Sequence, residues 1–210
     1  DVVVLSETAS PKRANSGHIH WFGHSEPGLA VVVRGDYTLT PSALNTGAPR
    51  LTGGFRVEGP MCFNLLAVWP VQRRGDFTYH QILMSALEHY AAFLGEGPTL
   101  LAGDLNSSAR VTSQRATHPL FLTQAAALSL RSIYHEQTGE PHGEESVPTY
   151  RHMHDATQPF HLDYCFASED LLPGARLNVI SDGEWPQRSD HYPIVVGVDQ
   201  RQSRCPSEGR

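Results

Sequence analysis

The sequence predicts one α/β domain in which β-sheets pack on each other and are flanked by helices. Short apolar runs rich in β-branched residues recur along the chain, separated by turn residues. One stretch has a helical period instead, and a second helix is predicted further along the chain. The 210 residues contain no internal repeat and no linker that would divide them, so a single core of ordinary size is expected. Many strands with few helices favour packed sheets.

The strands are justified by their apolar runs. Residues 2–5 form a short β-branched run closed by polar residues, which predicts a strand buried on both faces. Residues 160–168 alternate between apolar and polar side chains, as a strand with one core face does. Residues 40–54 are rich in turn formers and are predicted as a loop. The predicted strands are the runs at 2–5, 29–34, 62–68, 98–106, 160–168, 176–180 and 193–198.

Two helices are predicted. Apolar residues recur at helical spacing over 79–94, with Asp76 able to cap the start and Gly95 the end. A second helix is predicted around 117–130. The polar stretch 135–147 is predicted as a loop. Residues 200–210 have no apolar content and are predicted as a disordered tail, which leaves 1–199 as the domain.

Composition limits the classes of function. The formal charge is −6, and fifteen Arg and a single Lys, Lys12, supply the positive charge. This argues against broad, charge-driven adhesion to nucleic acid but leaves a local basic groove open. No apolar run approaches the roughly 20 residues that span a bilayer, and no signal peptide is recognised. Three widely spaced cysteines match neither a disulfide framework nor a zinc signature, so a reducing compartment, the cytoplasm, is expected.

Polar residues follow or precede four of the predicted strands. Glu7 follows the first run, and Asp104 and Asn106 follow the run that ends at Gly103. Asp163 lies on the non-core face of its strand, and the pair Asp190–His191 leads into the last run. Each feature alone also fits a surface group or a turn. Together they predict one polar site, because several buried carboxylates need a cation or an imidazolium to offset them.

These residues stand in motifs that resemble those of the endonuclease/exonuclease/phosphatase superfamily. The motifs are "LSET" around Glu7, "GDLN" at 103–106, "HLDYCF" at 161–166 and "SDHYP" at 189–193. The resemblance covers the chain from Glu7 to about Val198. It implies a four-layer α/β sandwich, made of two packed mixed sheets flanked by helices. It also implies hydrolysis of a phosphoester with a divalent cation, usually Mg²⁺, with Mn²⁺ as an alternative.

The resemblance also implies a role for each matching residue. Glu7 matches the metal-binding Glu, and Asp190 the acid beside the metal. Asp104 matches the residue that orients or deprotonates the attacking water. The residues that match the phosphate-contacting Asn, the catalytic His and the acid that orients this His are Asn106, His191 and Asp163. The residue types suit the chemistry, since Mg²⁺ takes oxygen ligands and an imidazolium stabilises charge developing on a phosphoryl group.

The chain departs from the family pattern in two places. The family begins with a further strand that ends in a metal-binding Asn, followed by a helix, and this chain starts after both. Either it is an incomplete form of a longer protein, which we expect, or it has lost a core strand and a metal ligand. Near residue 69 members usually carry His or Tyr, with an Asn soon after. Here Trp69 occupies that position and Gln72 replaces the amide. Trp69 either stacks on a substrate or caps the core.

Two loops are open to more than one interpretation. The segment 149–154 carries Arg151 in a region where family members contact substrate, although a solvated loop fits equally well. The segment 135–145 holds two His and four Glu, which fits either a second metal site or a polar loop.

The leading hypothesis is a Mg²⁺-dependent phosphodiesterase or nuclease that acts as a monomer, with DNA as a candidate substrate. A small-molecule or lipid phosphatase or phosphodiesterase is the second hypothesis, favoured by the net negative charge. The third is a binding module that keeps the fold without turnover, favoured by the two departures.

Overall fold

The computed structural model describes residues 1–11, 18–23, 27–72, 77–155 and 157–199. The strands are β1 (Val2–Thr8), β2 (Ile19–Phe22), β3 (Gly28–Val33), β4 (Thr38–Pro41), β5 (Thr52–Glu58), β6 (Phe63–Val68), β7 (Thr99–Asp104), β8 (Leu130–Ser132), β9 (Tyr150–Arg151), β10 (Pro159–Phe160), β11 (Asp163–Ser168), β12 (Ala175–Val179) and β13 (Ile194–Val198). The helices are α1 (Tyr79–His89), α2 (Ala91–Leu94), α3 (His118–Ala127), α4 (Ile133–Thr138) and α5 (Trp185–Arg188).

The largest sheet is mixed and has six strands. Its order is β4-β5-β6-β7-β11-β8. Strands β6 and β7 pair in parallel and the other neighbours are antiparallel. A three-stranded antiparallel sheet has the order β1-β3-β2, and β12–β13 and β9–β10 form two-stranded sheets. The central strand pair β7–β11 ends at the candidate site.

Two apolar clusters hold these elements together. One lies between the large sheet and the smaller sheets, and its fully buried members include Val31, Phe55 and Leu177. The other lies between the large sheet and the helices α1 to α3, and includes Leu87 and Phe121. Burying both faces of the large sheet accounts for the continuous apolar sequence of its central strands. The sequence-based prediction of an α/β sandwich with packed sheets is confirmed.

The first strand is less buried than its sequence predicts. Residues 2–8 alternate between half-buried and exposed, and the side chains of Val3 and Leu5 are 36% and 41% exposed. The prediction of a strand buried on both faces was therefore wrong for the described part of the chain. Among the described residues β1 pairs with β3 alone, and only one of its faces packs on the core.

The predicted loop at 40–54 overlaps two strands. Pro41 ends β4, and β5 begins at Thr52 and pairs with both β4 and β6. The glycines of β5 serve packing, because a Cβ on Gly53 would overlap the ring of Phe22, and one on Gly54 would press on the ring of Tyr90. Glycine in a strand marks such close approaches as well as turns, and the sequence pattern does not separate the two.

The helix predicted at 79–94 is divided in two. Helix α1 ends at His89, Tyr90 follows, and α2 continues to Leu94, with Gly95 at its C-terminus as predicted. A capping box between Thr78 and Gln81 forms the start. The predicted cap, Asp76, lies outside the described residues, as does the predicted tail at 200–210.

The helix predicted at 117–130 is α3. The polar stretch 135–147, predicted as a loop, begins inside a further helix, α4. Gly139 caps the C-terminus of this helix in a left-handed conformation.

The cysteines do not support the predicted compartment. Cys165 is a buried free thiol, but Cys62 is disulfide-bonded, and a disulfide fits an oxidising compartment better than a reducing one. The cytoplasmic location therefore stays a prediction, and the disulfide weakens its support. In the described part of the chain, none of the helices has the length and apolar content to cross a bilayer.

Candidate active site

Two carboxylates face each other where the central strands of the large sheet end. Asp104 is the last residue of β7, Asp163 is the first of β11, and the two are cross-strand partners. The residue before Asp104 must be glycine. Gly103 has φ +146°, and a Cβ there would collide with the carbonyl oxygen of Val68 on β6. The close approach of β6 and β7 therefore sets the position of Asp104.

Asn106 turns back onto Asp104. Its φ of 47° is left-handed, which reverses the chain just after the strand. Its backbone N–H donates to Asp104 Oδ1 at 2.8 Å, and its side-chain Nδ2 donates to Asp104 Oδ2 at 2.9 Å and to the carbonyl oxygen of Pro70 at 3.2 Å. The backbone N–H and the side-chain amide of Asn106 therefore each hold one oxygen of the buried Asp104 carboxyl in place.

His191 is held by Asp163. The distance from His191 Nδ1 to Asp163 Oδ2 is 2.8 Å, and the side chains are 26% and 16% exposed. Because Nδ1 is occupied by Asp163, Nε2 is the nitrogen left for a substrate. The ligand atoms of Asp104, Asp163 and His191 all lie within 4.8 Å of one another. The structure thus brings these three predicted residues together.

Thr149 connects the two chain segments that carry this pair. Its buried Oγ1 accepts hydrogen bonds from the backbone N–H groups of Leu162 and Asp163, each at 2.9 Å. Its carbonyl oxygen accepts from the N–H of Tyr192 at 2.6 Å. One threonine therefore ties the start of β11 to the segment that follows His191.

The pKa of Asp104 is raised well above the ordinary value of a carboxyl group. Burial raises the pKa of Asp104 to about 8, helped by the charges of Asp163 and, more weakly, Glu7, and opposed by His191 and the N–H of Asn106. A carboxyl group that stays protonated near neutral pH is typical of a functional site.

The pKa of His191 is also raised, but here burial and the neighbouring charges act in opposite directions. Burial by itself would lower its pKa, but the hydrogen bond and charge of Asp163, with the charges of Asp104 and Asp190, raise the pKa of His191 to about 9. At neutral pH the ring is therefore an imidazolium that presents an N–H donor.

Glu7 and Asp190 complete the acidic surroundings. Glu7 lies in an irregularity of the β1–β3 pairing and has φ 58°, so its side chain leaves the regular alternation of the strand. The charges of Asp190, Asp104 and Glu7 all raise the pKa of Tyr150, after the larger effect of burial. All four predicted acids therefore act on one small region.

This donor set fits a divalent cation. Burial is the main cause of the raised pKa of Asp104, and the negative charges of Asp163 and Glu7 add to it. Hard cations such as Mg²⁺ prefer oxygen ligands and need only one or two protein carboxylates. The side chain of Glu7 is exposed and that of Asp190 is half-buried. Neither belongs to the group formed by Asp104, Asp163 and His191, whose ligand atoms lie within 4.8 Å of one another.

The three predicted substrate-contacting residues lie in different surroundings. Trp69 is 4% exposed within the core between the sheets, and its Nε1 has no hydrogen-bond partner among the described residues. The structure thus matches the core-capping alternative for Trp69. Gln72 is exposed. Arg151 donates from Nη2 to the carbonyl oxygen of Pro186 at 2.9 Å and lies over the ring of Tyr192.

Sequence reasoning missed the aromatic side of the site. The ring of Tyr150 is 4.5 Å from that of His191, between centroids, and the two residues form a β-bridge. Burial and then the charge of Asp104 raise the pKa of Tyr79, which places Tyr79 near the carboxyls as well. No spacing in the sequence identifies either tyrosine, because Tyr150 lies in a strand of only two residues and Tyr79 has the pattern of an ordinary helical residue.

No family model and no curated protein sequence matches the chain. Solved structures do. A 3′ phosphatase from Neisseria bound to a product DNA hairpin aligns with a TM-score of 0.71 and 16% identity, covering 95% of this chain and 89% of that one. An AP endonuclease from Archaeoglobus fulgidus aligns with a TM-score of 0.65 and 13% identity, with the same coverage.

A third structure, described as an endonuclease/exonuclease/phosphatase from Beutenbergia cavernae, aligns with a TM-score of 0.57 and 17% identity. It covers 93% of this chain and 61% of its own. At such identities the likeness concerns the fold. The chain therefore has the fold of the endonuclease/exonuclease/phosphatase superfamily, which its four motifs indicate.

Proposed function

We propose that the protein is a divalent-metal-dependent phosphoester hydrolase, acting as a phosphodiesterase or nuclease with DNA as a candidate substrate. The observation that carries the proposal is the convergence of Asp104, Asp163 and His191 within 4.8 Å at the end of β7 and β11. A buried acid that stays protonated near neutral pH, beside an imidazolium, is suited to proton transfer and to binding an oxyanion.

Asp104 acts on water. Its carboxyl has a pKa of about 8 in the metal-free site, close to neutral pH, where a group accepts and returns a proton most effectively. Asn106 occupies both carboxyl oxygens with hydrogen bonds and so sets the direction from which a water can approach.

His191 acts on the phosphoryl group. Because Nδ1 is bonded to Asp163, the imidazolium donates from Nε2 to a phosphoryl oxygen as negative charge builds there. Asp163 is a positioning residue, since it keeps the ring charged and oriented without contacting the substrate.

Glu7 and Asp190 would hold the cation, with Mg²⁺ expected and Mn²⁺ as the alternative. When bound, the cation supplies charge stabilisation to the phosphoryl oxygens and to the leaving oxygen. It also offsets the repulsion among the four carboxyls.

The substrate surface favours nucleic-acid ends over long duplexes. Phe77 and Met153 are 67% and 79% exposed. Phe77 lies two residues before Tyr79 in the sequence, and Met153 three residues after Tyr150. An exposed aromatic side chain such as Phe77 can stack on an unpaired base. The net charge of −6 opposes extended contact with a duplex backbone. A monomer stays a prediction.

The test compares substrates and variants at one Mg²⁺ concentration. Abasic DNA, plasmid DNA, DNA with a 3′ phosphate and a small phosphomonoester are incubated with the wild-type protein and with His191→Ala and Asp104→Ala. We expect cleavage of one DNA substrate, lost with chelator and in both variants. Asp170→Asn, an exposed acid just beyond the far end of β11, is the control that keeps activity. Full activity of His191→Ala would contradict the proposal.

A small-molecule or lipid phosphoester is the second candidate. The acidic net charge and the single Lys favour it, because neither of these substrates requires a track of cationic side chains. Hydrolysis of the small ester alone in the same experiment would identify this alternative. Intact metal binding without hydrolysis of any substrate would indicate the non-catalytic module.

A further inference from the structure

A second group of potential metal ligands lies away from the candidate active site, and we call it the buried histidine cluster. It consists of His118 at the start of α3, His135 in α4, His142 and Glu145 in the following loop, and His161 just before β11. His118 and His161 are 0% and 1% exposed, and Glu145 is 9% exposed. The ligand atoms of His135, His142 and Glu145 lie within 4.8 Å of one another.

The distances within the cluster match the edges of a tetrahedral site. Donor atoms that are each 2.0–2.1 Å from a zinc ion in tetrahedral geometry lie roughly 3.3 Å apart. The distance from His118 Nε2 to His142 Nδ1 is 3.3 Å, and that from His135 Nε2 to Glu145 Oε1 is 3.2 Å. Each contact shares one proton between two ligand atoms, and a metal ion can replace that proton.

In three of the four histidines of the cluster, one ring nitrogen already makes a hydrogen bond to an oxygen atom. Metal-binding histidines usually hold one ring nitrogen on an oxygen, which orients the ring and directs the other nitrogen at the metal. Three of these rings show that arrangement through Nδ1, at 2.7–2.9 Å: His118 on Ser107 Oγ, His135 on Ser132 Oγ and His161 on the carbonyl oxygen of Val147.

His161 provides an independent observation. Its Nδ1 must donate, because its partner is a carbonyl oxygen, so Nε2 carries a free lone pair. That buried nitrogen has no hydrogen-bond partner among the described residues. The ring lies 5.9 Å from that of His135, between centroids. An unpartnered buried acceptor is costly, and a cation at the cluster would offset this cost.

The protonation states suit metal binding. Burial lowers the pKa of His118 to about 4 and that of His142 to about 3, so both rings are neutral at pH 7. Burial would raise the pKa of Glu145, but hydrogen bonds from His135 and from backbone N–H groups lower it to about 2. Neutral imidazoles and one carboxylate are the forms that ligate a metal.

We propose that His118, His135, His142 and Glu145 form a structural site for a late first-row transition metal ion, Zn²⁺, with His161 as an additional ligand in reach. Imidazole with one carboxylate selects such ions over Mg²⁺, which prefers oxygen ligands throughout. The rings of His135 and His142 stack at 3.4 Å with 14° between their planes. They must therefore tilt apart for both lone pairs to meet one ion.

The site lies directly behind the candidate active site. Ser107, which holds His118, follows Asn106 in the chain, and His161 lies two residues before Asp163. A metal ion here ties α3, α4 and the loop after it to the ends of β7 and β11. Zinc binding therefore stabilises the segments that carry the catalytic side chains, without taking part in the reaction.

The test is zinc binding by chelator-treated protein. The wild-type protein, His142→Ala and the active-site double variant Glu7→Gln/Asp104→Asn are titrated with Zn²⁺ in competition with a chelating dye. We expect one tight equivalent in the wild-type protein and in the double variant, and binding at least about 100-fold weaker in His142→Ala. His89→Ala, at the end of α1, is the matched histidine control and keeps the equivalent.

Two further measurements test the proposed zinc site even if the His142→Ala variant does not fold. Zinc X-ray absorption of the double variant should show imidazole scattering from three or more rings, and bound zinc should raise its Tm. Absence of tight zinc binding by the wild-type protein, or its loss in the double variant, overturns the proposal. Loss of zinc binding in the double variant would assign the zinc to the active site.

Discussion

At the scale of single residues, Asp163 determines the charge of the His191 ring. Its hydrogen bond to His191 Nδ1 and its negative charge are what raise the pKa of His191 to about 9 against the effect of burial. The sequence places the two residues 28 positions apart, yet neither has its proposed function without the other.

We predict that Asp163→Asn lowers kcat/KM by about 10²-fold at pH 7.5. With the charge gone, the pKa of His191 falls from about 9 toward the ordinary histidine value, so the imidazolium is lost at lower pH. The alkaline limb of the pH–rate profile therefore moves to lower pH. The profile and the NMR titration of the His191 ring measure this. An unchanged titration midpoint would contradict the assignment, and Asp170→Asn serves as the control.

Thr149 is a second residue whose effect is local and testable. Thr149→Val keeps the shape but removes the acceptor for two buried N–H groups. We expect a loss of about 2 kcal/mol in the free energy of unfolding, together with reduced activity, because the start of β11 is no longer anchored. Urea denaturation measures the first effect. Thr149→Ser retains the acceptor and should remain near the wild-type value in both measurements. Equal losses in the two variants would show that the hydroxyl is unimportant.

At the scale of elements, the close contact between β6 and β7 decides where Asp104 lies. Gly103 has a φ of +146°, which residues with a side chain rarely adopt. A Cβ at this position would also collide with the carbonyl oxygen of Val68. Backbone conformation and packing therefore require glycine independently at this position.

We predict that Gly103→Ala destabilises the protein by about 2–5 kcal/mol, since it combines backbone strain with overpacking. The strand must also move away from β6, so activity should fall in the fraction that remains folded. Chemical denaturation and activity per folded molecule are the measurements. Gly197→Ala is the matched control, because Gly197 is in β13 and a Cβ there meets nothing within 4 Å. Equal stability of the two variants would contradict the argument.

At the scale of the whole molecule, the candidate site makes stability depend on pH. Relative to the unfolded chain, the pKa of Asp104 rises from 3.8 to about 8 and that of His191 from 6.5 to about 9. Between pH 7 and 9 the folded state thus holds protons that the unfolded state has released. Stability from these groups is present at lower pH and is lost as the pH rises through the folded-state values.

We predict that the metal-free protein loses free energy of unfolding between pH 7 and 9, and that Mg²⁺ reduces this loss by favouring the deprotonated carboxyls. Urea denaturation with chelator or with Mg²⁺, at several pH values, measures both effects. Asp104→Asn should flatten the dependence in chelator. The prediction fails if the wild-type and variant curves in chelator have the same slope.

Local pattern was sufficient for much of the fold and for choosing the candidate site residues by type and position. Strands β3 and β6 follow from their apolar runs and β11 from its alternation, because burial on both faces or on one face of a sheet selects these patterns. The strand β5 was missed, since its glycines serve close packing and look the same as turn glycines in a sequence. The polar residues at strand ends were recognisable by type, as carboxylates and imidazoles beside apolar runs are costly unless they are used.

The sequence by itself determined that Glu7, Asp104, Asn106, Asp163, Asp190 and His191 stand at or beside the ends of strands, and that sheets would bring strand ends together. Only the tertiary structure decided the rest. The pairing of Asp163 with His191, the contribution of Thr149 and the tyrosines, and the buried histidine cluster all join residues from separate segments. The physical reason is that hydrogen bonds and charge interactions depend on distances of a few ångströms, which the packing of the sheets sets and the spacing of residues along the chain does not.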